Sequence, residues 1–260
     1  MPELPDLQVF CRNLTKELKG KTVKRLTIVN KKKLKTPVAA LKKSLEGGTL
    51  TTVEREGKEL HFKFSNGNML GMHLMLNGNL YLYEKKHDKK YRIVEMLFDD
   101  ETGLVLTDFQ GMANVMLNPE ERTAPDALSK EVNYKWLKGQ LEKKKKGPIK
   151  TVLMDQKVIR GIGNAYADEI LWDARISPVA VSNSIPDEKL KALVKSIKSV
   201  LKNAEKQILK KNPDLISGEV RDFLLIHNAK REKSPTGGEI LTMTISGRKT
   251  YYTEEQEEWR

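Results

Sequence analysis

The spacing of apolar residues changes its period along the chain. Apolar residues at positions 7, 10, 11, 14 and 18 fall on one helical face, which predicts a helix over residues 5–19 that stops at Gly20. Short segments rich in β-branched and aromatic residues follow, separated by Gly, Asn and Asp turns. They predict strands at 23–29, 50–54, 59–64, 68–75, 79–83, 91–98, 103–107 and 113–117. Closely spaced strands with tight turns favour an antiparallel sandwich or barrel.

The second half of the chain has a helical period. Residues 118–150 are polar and lysine-rich, which indicates a boundary. A helix-compatible stretch then ends at Gly161, and another helix starts at or just after Asn164. A capping sequence at 184–187 opens an amphipathic helix, and residues 238–253 alternate as a two-stranded ribbon. The prediction is an α+β chain with a β-sandwich domain at 1–120, a linker at 121–150, a helical domain at 151–232, and a ribbon with an acidic tail at 233–260.

Composition narrows the class of protein. The 260 residues include 47 Lys and Arg against 35 Asp and Glu, a net charge of +12. No stretch approaches the roughly 20 apolar residues of a membrane span. The N-terminus also lacks the pattern of a signal or transit peptide, so we expect a cytoplasmic protein without membrane contact. The single cysteine, Cys11, excludes an intrachain disulfide and any zinc site built on two or more cysteines.

The positive charge is unevenly distributed. Residues 1–150 hold 29 basic and 19 acidic side chains, whereas residues 151–260 hold 18 and 16. Lysines concentrate at 31–35, 85–90 and 143–146, in segments typical of loops. Each cluster is either a solvated loop or a contact to phosphate, and the sequence leaves both interpretations open.

Two residues at the N-terminus could carry chemistry. Removal of Met1 would leave Pro2 as a secondary amine, and N-terminal amines have a pKa of about 7.7–8.0, low enough to be partly unprotonated near neutral pH. Such an amine can attack an aldehyde-like carbon and form an iminium ion, with Glu3 beside it as proton donor or acceptor. Most N-terminal prolines are inert, so these two residues alone do not establish a catalytic role.

Three further positions could contact phosphate. The turn at 161–164 places backbone N–H groups at a helix N-terminus, where anions bind, although an ordinary helix cap has the same pattern. Arg248 lies at the turn of the last ribbon and Lys58 at an earlier hairpin, and each could equally be a surface cation. The four histidines are scattered, so we expect no metal site and no cofactor.

Together these motifs resemble the formamidopyrimidine-DNA glycosylase and endonuclease VIII family, from residue 1 to about residue 252. Four stretches carry the resemblance and stand in the family's order: residues 2–5, its N-terminal Pro-Glu-Leu-Pro; 55–58, its hairpin lysine; 155–169, its helix–two-turn–helix signature; and 247–252, its DNA-gripping finger. The resemblance implies an N-terminal helix with a two-layered β-sandwich, a helix–two-turn–helix domain and a C-terminal ribbon.

The resemblance also implies a function. The chain would be a bifunctional DNA glycosylase and AP lyase of base-excision repair, a monomer that acts on damaged double-stranded DNA and cleaves the strand by β/δ-elimination. By matching position, Pro2 would attack C1′ of the damaged nucleotide, Glu3 would act as general acid/base, and Lys58 would contact DNA and assist catalysis. The implied DNA-binding residues are Asn164 and Arg248, which would clamp phosphates beside the everted base, with Lys157, His73 and Leu76, the last of which would insert into the duplex.

Three departures from the family pattern change what is expected. Its four zinc cysteines would fall near Ser234, Gly237, Thr253 and Gln256, which implies a zincless ribbon held by packing and backbone hydrogen bonds. The arginine that would pair with the orphaned cytosine is missing at 108–112, and residues 221–228 leave little room for the loop that caps 8-oxoguanine. These two losses favour oxidised pyrimidines, hydantoins or formamidopyrimidines over 8-oxoguanine.

Two other functions would explain part of the pattern. A catalytically inactive protein of the same fold could sense or shield damaged DNA, but it would not need Pro2, Glu3 and Lys58. A protein that binds RNA or the ribosome through a similar helix–two-turn–helix would explain the charge but leave the N-terminal Pro-Glu unused.

Overall fold

The chain forms two compact units. The computed structural model describes residues 1–34, 36–143 and 147–260. Unit 1 comprises Met1–Glu121 and Ile208–Glu219, and unit 2 comprises Arg122–Gln207 and Val220–Arg260. Parts of two lysine clusters, at positions 35 and 144–146, lie outside the described residues. No helix within the described ranges is long and apolar enough to cross a membrane.

Unit 1 is a two-layered antiparallel β-sandwich with a helix at its N-terminus, which confirms the predicted fold class. One sheet has the strand order β1-β6-β7-β5 and the other β2-β3-β4-β8. The elements are α1 (Leu4–Leu18), β1 (Val23–Ile28), α2 (Val38–Leu45), β2 (Leu50–Glu56), β3 (Glu59–Phe64), β4 (Met69–His73), β5 (Asn79–Glu84), β6 (Arg92–Phe98), β7 (Thr102–Thr107) and β8 (Asn114–Leu117).

One hydrophobic core holds unit 1 together. Phe10 and Leu14 of α1 are completely buried against Phe62 of β3 and the other inward-facing residues of both sheets. Cys11 belongs to the same core, and burial raises the pKa of its thiol to about 12. Because the reactive form of cysteine is the thiolate, Cys11 is a packing residue at neutral pH.

Unit 2 combines helices with a C-terminal hairpin. Its elements are α3 (Tyr134–Lys143), α4 (Ile149–Met154), α5 (Asn164–Asp173), a 3₁₀ turn (Ser182–Ser184), α6 (Asp187–Lys211, in this unit as far as Gln207), β9 (Leu241–Ile245) and β10 (Arg248–Tyr252). Strands β9 and β10 pair antiparallel through Ser246 and Gly247, whose φ angles of 49° and 73° suit a two-residue type I′ turn. The predicted ribbon is therefore confirmed as a tight hairpin.

The structure differs from the sequence pattern in three elements. Helices α2 and α3 were not predicted, because each buries only two leucines, one turn apart, which is too short a stripe to reveal a helix. Helix α4 ends at Met154 rather than near Gly161. The chain turns there because the Asp155 carbonyl accepts the N–H groups of Val158 and Ile159, at 2.8 and 3.0 Å.

Candidate functional site

Pro2 and Glu3 lie in unit 1 directly before the first residue of α1. Both residues are buried, and only 4% of Glu3 is exposed. Glu3 caps the helix, since its N–H donates to Asp6 Oδ2 at 2.9 Å as one half of a capping box. The Met1 ammonium, one residue earlier, forms an ion pair with Glu219. The N-terminus is thus an ordered part of the fold.

Lys58 lies in a two-residue turn between β2 and β3, where Glu56 pairs with Glu59. Gly57, with φ of 59°, occupies the first position of the turn, which favours glycine. The Arg55 guanidinium donates to the Gly57 carbonyl at 3.1 Å and to Gln8 Oε1 of α1 at 3.0 Å. The hairpin that carries Lys58 is therefore fastened to the helix that carries Pro2 and Glu3.

His73 ends β4 and pairs with Glu59 of β3, the neighbour of Lys58. Its Nδ1 accepts the N–H of Met75 at 3.0 Å, which fixes the ring and requires Nδ1 to be unprotonated. The structure thus places His73 on the strand next to the lysine hairpin.

Leu76 projects from the loop between β4 and β5, with 64% of its surface exposed. The loop is tight, because the N–H of Gly78 donates to the Leu74 carbonyl at 2.8 Å. A Cβ at position 78 would lie 2.2 Å from that carbonyl oxygen, so only glycine fits there. An exposed leucine on a fixed backbone is suited to enter an apolar environment.

A second exposed apolar side chain, Phe109, was missed by the sequence analysis. The carboxylate of Asp108 accepts the N–H groups of Gln110, Met112 and Ala113, at 2.9, 2.8 and 2.7 Å, and so fixes the loop after β7. Phe109 is 64% exposed on this loop. Asn77 Nδ2, next to Leu76, donates to Gln110 Oε1 at 2.7 Å, so the two loops are tied together. The one sequence signal for Phe109 was its position within residues 108–112, where the arginine of the resembled family is missing.

Unit 2 brings Asn164 and the β9–β10 hairpin together. Asn164 is the first residue of α5, and its Nδ2 donates to the Lys249 carbonyl at 2.9 Å. Its Oδ1 is buried and accepts no hydrogen bond from the part of the chain that the structure describes. Arg248, beside Lys249, is exposed, and Lys157 is exposed in the turn after α4.

A buried network that the sequence analysis also missed fixes β10 on α5. Lys150 Nζ lies 2.7 Å from Asp168 Oδ1 and donates to Thr250 Oγ1 at 2.6 Å. Asp168 Oδ2 accepts the N–H of Tyr251 at 3.0 Å and contacts His227 Nδ1 at 2.7 Å. The only sequence signal was a pair of acids in the middle of an apolar helix. The network sets the position of the strand that begins with Arg248.

The next residue, Glu169, fixes the segment that follows α6. Its carboxylate accepts the N–H groups of Leu225, Ile226 and His227 at 2.9, 2.7 and 2.7 Å. Burial raises the pKa of Glu169, and these three N–H groups oppose the rise. Arg221, at the start of the segment, lies over the Tyr166 ring at 5.1 Å. Residues 221–227 are therefore held at both ends as a short connection.

Zinc does not fit the positions where the resembled family has cysteines. Gly237 has no side chain, and the hydroxyls of Ser234 and Thr253 are weak ligands for zinc. The Gln256 amide is engaged, since Oε1 accepts the N–H of Thr253 and Nε2 donates to the Ile176 carbonyl, both at 2.8 Å. Across 1–34, 36–143 and 147–260, no three His, Cys, Asp or Glu residues form a group that could hold a metal ion.

Comparison with known proteins identifies the family. Residues 1–115 match the formamidopyrimidine-DNA glycosylase N-terminal domain, and residues 123–211 match the H2TH domain of the same enzymes. The formamidopyrimidine-DNA glycosylases of Lactobacillus gasseri and Mycoplasma mobile are 30% and 28% identical, and each alignment covers 97% of both chains.

Solved structures agree with the sequence matches. Wild-type Lactococcus lactis Fpg in complex with DNA that contains an oxidised pyrimidine is 26% identical, with a TM-score of 0.86 over 97% of this chain and 98% of that one. LlFpg bound to a THF-DNA and an inhibitor superposes with a TM-score of 0.88 at 26% identity, over 99% and 100% of the two chains. The chain therefore belongs to the formamidopyrimidine-DNA glycosylase family and is a DNA glycosylase of base-excision repair.

Proposed function

We propose that the protein excises oxidised bases through a Schiff base on Pro2 and then cleaves the DNA strand as an AP lyase. The observation that best supports this proposal is the ordered N-terminus, with Pro2 and Glu3 buried directly before the first residue of α1. Burial and the positive end of a helix both disfavour a protonated amine, so they favour the nucleophilic form of Pro2 once Met1 is removed.

The chemistry starts at C1′ of the damaged nucleotide. The lone pair of the Pro2 nitrogen forms a bond to C1′, and the base leaves with the electrons of the glycosidic bond. The departing base takes up, directly or through water, the proton that the Pro2 nitrogen releases. Glu3 then donates a proton to O4′, and the C1′–O4′ bond breaks to leave an iminium ion between Pro2 and C1′. Loss of a proton from C2′ then expels the 3′ phosphate, a second elimination expels the 5′ phosphate, and water releases Pro2.

Each unit contributes its own DNA-binding groups. In this proposal Asn164, Lys157 and Arg248 bind phosphates, and Lys58 with His73 binds the strand beside the reacting sugar. Leu76 fills the space that the everted base leaves. Eversion costs a few kcal/mol, which the phosphate contacts and the inserted side chain offset. The protein acts as a monomer on double-stranded DNA.

We propose oxidised pyrimidines, hydantoins and formamidopyrimidines as preferred substrates over 8-oxoguanine. The short connection at 221–227, held by Glu169 and Tyr166, supports this preference because it offers no long loop to cover a purine. Fpg of Lactococcus lactis has been solved with DNA that contains an oxidised pyrimidine, and a mutant of that protein with DNA that contains Fapy-dG.

Borohydride trapping tests the mechanism. Two preparations should differ only at the N-terminus: one begins at Pro2, and the other retains Met1. We expect a covalent adduct on lesion-containing duplexes only from the preparation that begins at Pro2, because Met1 blocks the secondary amine. A Lys58→Gln variant that begins at Pro2 should still form the adduct, which separates the nucleophile from the assisting lysine.

The same assay ranks the lesions. Duplexes that each carry one lesion are compared at equal concentrations. The lesions are thymine glycol, a hydantoin, a formamidopyrimidine, and 8-oxoguanine placed opposite cytosine. Equal excision of 8-oxoguanine opposite cytosine would refute the proposed preference but not the mechanism. Tight binding of every lesion with no adduct would instead identify an inactive protein that only recognises damage.

A further inference from the structure

One carboxylate lies among the residues where zinc would be expected. Oε2 of Glu255 accepts the hydroxyls of Ser234 and Thr253, at 2.8 and 3.1 Å, and the indole N–H of Trp172, at 3.3 Å. Its Oε1 accepts the hydroxyl of Thr236 and lies 3.3 Å from Nη1 of Arg175. Four hydrogen-bond donors and one guanidinium, from three separate segments of the chain, therefore converge on Glu255.

The surroundings are shaped around this carboxylate. A Cβ at Gly238 would lie 2.5 Å from Glu255 Oε2, so the glycine leaves room for it. The Arg175 guanidinium also stacks on the Trp172 ring at 4.8 Å, which fixes both donors at the end of α5. The hydroxyls of Thr236 and Ser234 are the main reason that the pKa of Glu255 falls to about 2. Glu255 is therefore ionised at neutral pH and fully hydrogen-bonded.

We propose that Glu255 performs the structural role that zinc has in metal-bearing members of the family. It joins the segments 234–238 and 253–256, which flank the two strands of the β9–β10 hairpin, to the end of α5. Glu255 is thus a positioning residue for Arg248, which starts β10. This side-chain hydrogen-bond network, called the cross-link below, adds to the expected packing and backbone hydrogen bonds of the ribbon. Its effect on DNA rests on the proposed function, whereas its effect on the hairpin does not.

A single isosteric substitution tests the cross-link. Glu255→Gln removes the charge that Arg175 and Trp172 face, and Glu254→Gln, an exposed neighbour, is the matched control. Hydrogen bonds to charged groups are strong enough that we expect trypsin to cleave within 230–249 about tenfold faster in Glu255→Gln. The Glu254→Gln control should behave like the wild type. Equal cleavage rates in all three proteins would overturn the proposal.

A double-mutant cycle separates Glu255 from general destabilisation. Ser234→Ala removes one of the four hydrogen bonds to Glu255, and we expect it to add little to Glu255→Gln because its partner is already altered. Additive effects on the cleavage rate would show that the two side chains act independently, which contradicts the cross-link. If either variant fails to fold, Thr253→Ser, which keeps the hydroxyl, should retain wild-type resistance, whereas Thr253→Val should lose it.

DNA binding and metal content complete the test. For a duplex with an abasic-site analogue, Glu255→Gln should raise Kd about tenfold. For a lesion-containing duplex, the single-turnover excision rate at saturation should stay nearly unchanged, since Arg248 holds DNA but does not react. Chelation with EDTA should change neither quantity in the wild type. Stoichiometric zinc that EDTA removes together with protease resistance would refute the inference. A protein that fails to bind DNA but shows the protease effect would refute only the proposed function.

Discussion

Glu3 combines two roles at the scale of a single residue, because it caps α1 and stands beside the proposed nucleophile. Glu3→Gln keeps a side chain that can accept a hydrogen bond but removes the acid. We expect base excision to fall by about 10²–10⁴-fold, the usual contribution of general acid/base catalysis, with Kd for damaged DNA changed much less. Single-turnover excision and a binding titration measure the two quantities. Unchanged excision would remove Glu3 from the mechanism.

The pH profile of the same variant is a useful check on its role. An acid that protonates O4′ must carry its proton when it reacts, so wild-type excision should decline at high pH if Glu3 is that acid. The glutamine variant should lose this decline and retain only the dependence that comes from the Pro2 amine. A parallel profile in both proteins would assign the proton to another group.

We expect Phe109 to offer the unpaired base an aromatic surface, in the stretch where the arginine of the resembled family is missing. A ring that stacks on the unpaired base accepts every base, because each has a π-face, whereas an arginine reads one. We expect Phe109→Ala to raise Kd about 5- to 150-fold, which corresponds to the roughly 1–3 kcal/mol of one stacked base. The loss should be similar for duplexes with C, A, G or T opposite the lesion.

The control for Phe109 is Val29→Ala, which truncates another exposed apolar side chain of unit 1. It should bind all four duplexes like the wild type. A loss confined to one opposite base would show instead that this loop still reads base identity, for which the Gln110 amide would be the first candidate.

At the scale of elements, the packing of α5 on β10 depends on a buried ion pair. Lys150 and Asp168 are each about 1% exposed, so loss of one partner leaves a buried charge. We expect Asp168→Asn to lower the free energy of unfolding by about 3–5 kcal/mol, as found when one member of a buried pair is removed. Urea denaturation gives the value.

The partner substitution tests the coupling. Lys150→Met alone should be destabilising, but it should cost much less in the presence of Asp168→Asn, because no uncompensated charge then remains. Simple additivity would show that Lys150 and Asp168 stabilise unit 2 through separate contacts. Asp173→Asn, at the last residue of the same helix, provides a control for the loss of a helical carboxylate.

The sequence predicted those elements whose own residues carry a clear period. Alternation in the strands of unit 1 and the stripe of α6 are local patterns, so both were found, whereas α2 and α3 bury too little to show one. The hydrogen-bond networks around Asp168 and Glu255 could not be predicted from such local patterns. Glu255 accepts from Trp172, 83 positions earlier, and only the fold brings such residues together. Pro2, Glu3 and Lys58 stay predictions, and they were selected because their order matches a family, not because of any period.

At the scale of the whole molecule, most of the positive charge lies on residues other than those proposed to react with DNA or to bind its phosphates. Most of the +12 lies in lysines that have no proposed role in the reaction, whereas the proposed phosphate ligands are few. The overall positive field of the protein attracts DNA of any sequence, whereas only specifically positioned side chains can select the damaged nucleotide. The two contributions can be separated because each phosphate that is neutralised steepens the salt dependence of binding by about 0.9 in the slope of log K against log salt.

The lysine run at 143–146 is well suited to a measurement of the salt dependence of DNA binding. Replacement of all four lysines by glutamine should reduce the slope by up to about 3.6 if each lysine contacts a phosphate, and should leave it unchanged if the run is a solvated loop. Replacement of the four lysines at 85, 86, 89 and 90 is the matched control, because it removes the same charge from another segment. Equal changes in both variants would mean that the two runs contribute equally, either through net charge or through phosphate contacts of both. A change in one variant only would locate a strip of phosphate contacts beyond Lys58, Asn164 and Arg248.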